Sequence, residues 1–130
     1  YDSLILDTWV LYERFSYDQF AEIILCAGLF SLIQIDDLRN VSRFPNKFGD
    51  YIYAGRPVIT NSIGDLKIYS KEKPQFFYEV ENNFESVYNK LNNAYEDWKN
   101  NKIDYKQIRA FAEQNSWSNR AERVNKFINK

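Results

Sequence analysis

Short apolar runs alternate with longer stripes along this chain, and the two spacings predict different elements. Residues 4–11, "LILDTWVL", are branched and aromatic and read as a strand. Ser16-Tyr17-Asp18-Gln19 then has the spacing of a capping box. The helix it opens carries Phe20, Ile23, Ile24 and Ala27 on one face, and Gly28 is the expected left-handed stop. Residues 29–34, "LFSLIQ", are nearly apolar on both faces, which predicts a central parallel strand covered above and below. A polar loop over 36–43 leads to a helix over 45–54, ended by Gly55, and to a short strand, "PVIT", at 57–60. A second loop, 61–74, precedes "QFFYEV", a further strand at 75–80.

Helical spacing dominates the rest. Asn82 with Glu85 can cap a helix whose Phe84, Val87, Tyr88, Leu91, Tyr95 and Trp98 recur at steps of three and four, predicting a buried stripe that belongs to the core. Asp104 with Gln107 offers another cap ahead of Ile108, Phe111 and Ala112. Ser116 should cap the last helix and turn Trp117, Ala121, Val124 and Ile128 inward. Strands alternating with helices and closed by helices are the rhythm of an α/β fold with a parallel sheet.

Composition narrows the chemistry. The 130 residues, 45% of them apolar, fit a single domain spanning the whole chain, 1–130. With 17 basic against 18 acidic residues the net charge is -1, which supplies no field for a nucleic-acid backbone. Cys26 has no second cysteine to pair with, and histidine is absent, so zinc sites and triads built on histidine lose their usual groups. Apolar runs fall short of the ~20 residues a membrane span needs, so no transmembrane segment is expected. A start at Tyr1 without any methionine reads as a fragment of something longer.

In parallel sheets, ligands lie beyond the carboxyl ends of strands, where loops lead into helix N-termini. At Pro45-Asn46-Lys47 the amides of Asn46, Lys47 and Phe48, with the Lys47 ammonium, could face a phosphate, Pro45 taking the first helical position. Asp50 lies about one turn on, placed to accept two hydroxyls of a sugar ring. The same residues also fit a plain helix start with a solvated lysine, and spacing alone leaves both readings open.

"FPNKFGDYIYAGRPVIT", 44–60, resembles the nucleotide-sugar-binding segment of retaining glycosyltransferases of the GT-B fold, the glycosyl transferases group 1 type. Asp50, Gly55, Arg56, Pro57, Val58 and Ile59 follow that family's order of a carboxylate, a glycine and a basic-Pro-Val-Ile strand opening. "FAEQNSWSNRAERVNKFI", 111–128, is similar to its closing helices, with a Ser-Trp pair before the last one.

The resemblance implies the second half of a donor-binding domain, a partial Rossmann-like, three-layer parallel sheet with C-terminal helices, without the acceptor-binding domain. Asp50 would take the place of the second of two glutamates, the one that holds ribose; the first glutamate's position is Ser42. Asn46 and Lys47 match the positions whose amides meet the diphosphate, and Ser62 and Gly64 lie in the loop that faces the donor. No counterpart of the family's basic clamp occurs in residues 1–15. The implied partners are a nucleotide diphosphate sugar and an acceptor glycan or other hydroxyl, with no cofactor or obligatory metal. The implied location is cytoplasmic, with a membrane-peripheral one open to the full-length protein. The fragment alone should be inactive and could dimerise artificially through a bare sheet edge. A different expectation is a non-catalytic α/β module whose aromatic helices pack on a partner chain.

Overall fold

The computed structural model describes residues 16–129, so the strand expected at 4–11 lies outside the described residues. Its elements are α1 (Tyr17–Cys26), β1 (Phe30–Leu32), α2 (Leu38–Val41), α3 (Asn46–Tyr53), β2 (Val58–Thr60), α4 (Leu66–Glu72), β3 (Phe77–Glu79), α5 (Phe84–Lys99), α6 (Tyr105–Gln114) and α7 (Trp117–Ile128). A 3-10 turn, Pro74–Phe76, precedes β3. The architecture is mixed α/β. The strands form a parallel sheet in the order β1-β2-β3, with Ser31, Ile59 and Tyr78 in register.

Strand alternation assigns the two faces. Phe30, Val58 and Phe77 share one face: Phe30 stacks on Tyr51 of α3 at 4.1 Å, and Phe77 on Phe48 at 5.5 Å. Ile108, Phe111 and Ala112 of α6 complete the core on this side, together with Ile52 and Leu66. Each of the Phe, Ile, Leu and Val side chains among them, taken out of water, contributes about 1.5–3 kcal/mol. On the opposite face, Tyr78 donates its hydroxyl to Asp97 of α5 at 3.0 Å.

Local signals placed several boundaries where the spacing predicted them. The Ser16 box is complete, with Gln19 N donating to Ser16 Oγ and Ser16 N to Gln19 Oε1. Asp104 and Ser116 cap α6 and α7 by accepting from Gln107 N and Asn119 N. Gly55 ends α3 at φ +75°, with the Tyr105 carbonyl only 3.0 Å from where a β-carbon would sit. That contact lets the start of α6 close over the end of α3.

Other expectations are corrected. Gly28 is not a left-handed stop, because α1 ends one residue earlier at Ala27 in extended backbone. The middle strand of the described sheet is β2, buried at all three positions, whereas β1 lies at its edge with Ser31 exposed. The cap of α5 is Asn83, not Asn82, since it is Asn83 Oδ1 that accepts from Ser86 N. Two loops expected to be irregular contain α2 and α4, capped or turned by residues the pattern left out.

The largest correction concerns the aromatic stripes. On α5, Phe84 is 79% exposed, and Tyr88, Leu91, Tyr95 and Trp98 are also exposed; the only buried residue is Ala94. Val87 is half-buried. On α7 no described residue is buried, and Trp117, Val124 and Ile128 face solvent. The periodicity is real, but among the described residues no element lies across either stripe.

Candidate functional site

The carboxyl ends of β1 and β2 are tied together by side chains. Asn61 accepts from Gln34 N at 3.0 Å and donates to Gln34 O at 2.7 Å, extending the strand pairing by one side-chain rung. Asn40 is fixed in turn: its amide donates to Asp37 Oδ1, its side chain donates to Ile35 O at 2.8 Å, and it accepts from Gln34 Nε2 and from Arg43 Nη2 at 2.6 Å. A rigid polar ridge results, and α3 begins beside it.

Pro45 is the N-cap of α3 and not its first helical residue; it has no side chain to cap the amides that follow. Its carbonyl accepts from Phe48 N at 2.9 Å, closing a tight first turn. The Phe48 amide expected to meet phosphate is therefore already engaged, and its ring, 1% exposed, belongs to the core. The amides of Asn46 and Lys47 remain at the helix tip, where the peptide dipoles favour an anion. Both side chains are exposed.

These residues line a cleft of about 510 Å³ with Gln34, Asn40, Arg43 and the chain leaving β1. Gln34 Oε1 is shielded from solvent there and closes no hydrogen bond. Arg43 is the residue that the spacing analysis missed. It lies four positions before Lys47, so one guanidinium and one ammonium flank the same helix tip. A cation just ahead of a helix-opening proline is the signal that could have found it.

Asp50 opens onto a neighbouring cleft of about 620 Å³, which it shares with Asn46, Tyr53, Trp117 and Arg120. Asp50 is exposed, and its charge adds to burial in pushing the Tyr51 hydroxyl up from its ordinary range. Arg120 fixes the far wall: it donates to Tyr69 Oη at 2.9 Å and lies over the rings of Phe44 at 5.4 Å and Trp117 at 5.5 Å. Asn46 therefore joins the two clefts, with Lys47 on one side and Asp50 on the other. A helical rise of about 1.5 Å per residue keeps Lys47 and Asp50 within roughly one turn.

Ser62 and Gly64 are not part of either cleft. They line a third, beyond the Asn61 ridge, with Asp36, Lys67, Lys71 and Glu79. Gly64 has φ +58°, and a β-carbon there would come within 2.8 Å of the Val41 carbonyl; this is how the loop packs against α2. Ser62 adopts φ +48°, unusual for a residue with a side chain.

Among the described residues, no cluster of three or more Cys, Asp or Glu side chains is arranged to hold a metal ion, and no helix is long and apolar enough to cross a membrane. Comparison with family models, with curated proteins and with solved structures finds no match to this chain.

Proposed function

We propose that this chain is the C-terminal, donor-binding part of a nucleotide-sugar-dependent glycosyltransferase, with a Rossmann-like donor domain of the GT-B kind. One observation carries the reading: the tip of α3, with two amides free of the helix ladder and Arg43 and Lys47 beside it, opens into a cleft at the carboxyl end of a parallel sheet. A diphosphate at that tip gains charge-assisted hydrogen bonds from both cations. Asp50, one turn further on, then accepts ribose hydroxyls, and Asn46 stands between the two sites.

Catalytically, the tip would compensate the charge that develops on the departing diphosphate, a preorganised effect that commonly supplies several kcal/mol. Transfer itself needs an acceptor held against the donor, so binding without turnover is the activity expected of this chain. Calorimetric titration with UDP, GDP and ADP tests the reading. One of the three should bind, with Lys47→Ala and Asp50→Ala each weakening it by about 1–3 kcal/mol while melting stays unchanged. A folded chain indifferent to all three at millimolar concentration contradicts it.

A second reading rests on the exposed aromatic stripes of α5 and α7, which suit a module that packs on a partner chain. It predicts that those helices, and not the α3 tip, carry the binding.

A further inference from the structure

Helix α7 is attached to the rest of the chain at few points. None of its described residues is buried, and only Asn115, which closes α6, and Ser116, which opens α7, join the two helices. Asn119 donates to the Glu113 carbonyl at 2.7 Å, a contact within that same corner. Among the described residues, the one hydrogen bond that α7 makes beyond α6 runs from Arg120 to Tyr69. The half-buried Arg120 is in no ion pair among the described residues, so its hold is on a hydroxyl and on the rings of Phe44 and Trp117.

Phe44 is where that hold reaches the α3 tip. Its ring meets Phe48 edge-on at 6.1 Å and Tyr69 at 6.2 Å, and its backbone runs directly into Pro45, the N-cap of α3. The pyrrolidine ring fixes φ at Pro45 and restricts the residue before it to extended backbone, so little torsional slack separates the Phe44 ring from the Asn46 amide. A displacement of that ring is passed on to the amides of Asn46 and Lys47. Arginine suits the task better than lysine, because a flat guanidinium covers a ring face and donates in its own plane at once, whereas an ammonium is a point charge. We propose that Arg120 is a positioning residue for the α3 tip: by bridging Phe44 and Tyr69 it couples the docking of α7 to the placement of the Asn46 and Lys47 amides. The coupling is reciprocal, so a ligand at the tip steadies α7 and a loosened α7 weakens the tip. The effect on nucleotide affinity rests on the donor-binding reading; the effect on the backbone of the tip does not.

Amide spectra of Arg120→Lys, which keeps the charge, and of Tyr69→Phe, which removes only the hydroxyl, test it against the unsubstituted chain, with and without UDP, GDP and ADP. In the free protein, Arg120→Lys should move the Asn46 and Lys47 resonances while those of Ile59 and Ile108 in the core hold still. The nucleotide that binds the unsubstituted chain should bind Arg120→Lys about tenfold more weakly, as expected for loss of a hydrogen bond from a charged group, and Tyr69→Phe should follow with a smaller loss. Saturating nucleotide should slow hydrogen exchange along α7 in the unsubstituted chain and not in Arg120→Lys, a response that a merely structural side chain would not give. Unmoved tip resonances in free Arg120→Lys overturn the proposal, as does undiminished affinity in that variant or an α7 whose exchange is indifferent to bound nucleotide. If Arg120→Lys does not fold, the tip resonances of free Tyr69→Phe decide the matter by the same criterion. If no nucleotide binds the unsubstituted chain, the donor-binding reading fails while the free-protein shifts still decide the coupling, so the two failures are read apart.

Discussion

Helices α3 and α5 carry apolar stripes of similar regularity and meet opposite fates. In α3, eight residues long, Phe48 and Ile52 are buried, Phe48 almost completely, and Tyr51 stacks flat on Phe30 of the sheet. In α5, twice that length, Phe84, Tyr88, Leu91, Tyr95 and Trp98 remain exposed, and the helix is held by Ala94 and by polar contacts. Tyr78 donates to Asp97, Lys102 pairs with the same carboxylate at 3.6 Å, and Ser86 Oγ accepts from Glu81 N. Periodicity thus defines a face; what covers that face is settled by elements distant in sequence.

If this contrast is right, substitutions should rank by what each helix rests on. Phe48→Ala removes a ring packed between Phe77, Tyr69 and Phe44 and should cost about 3–5 kcal/mol in chemical denaturation. A loss comparable to a surface change would break the comparison. Asp97→Ala deletes the acceptor that ties α5 to β3 and should cost about 1–3 kcal/mol. The Tyr78 hydroxyl sharpens this through pH: burial first, then the Asp97 hydrogen bond, raises it above its ordinary value of 10.0. The unfolded chain loses that proton sooner, so the contribution is complete below about pH 10 and falls away as pH rises beyond it. Tyr78→Phe should flatten that alkaline loss in thermal melts. Smallest of all, Leu91→Ser on the α5 stripe should change stability by no more than about 0.5 kcal/mol.

What the sequence made legible follows the same division. Caps at Ser16, Asp104 and Ser116, and the stop at Gly55, depend on residues within a few positions and could be read directly. The ranking of strands could not: β1 is the more continuously apolar run, but β2 has neighbours on both sides because of how α3 and α4 return the chain. At the candidate site, the α3 tip was legible as Pro45-Asn46-Lys47, whereas engagement of the Phe48 amide depends on a carbonyl geometry that spacing does not reveal. Arg43 was hidden for a similar reason, since a hydrogen bond to Asn40 anchors its guanidinium beside the cleft. Separation of Asp50 from Lys47 into adjoining clefts depends on α7, whose Arg120 reaches back across the chain to Phe44 and Tyr69.

Amide shifts of the folded chain on titration with UDP, GDP and ADP test the central claim most directly. The account predicts saturable changes with at least one nucleotide, centred on Arg43, Asn46, Lys47 and Asp50 and absent from the α5 stripe. Changes confined to α5 or α7, or none at millimolar nucleotide with the fold intact, would contradict it.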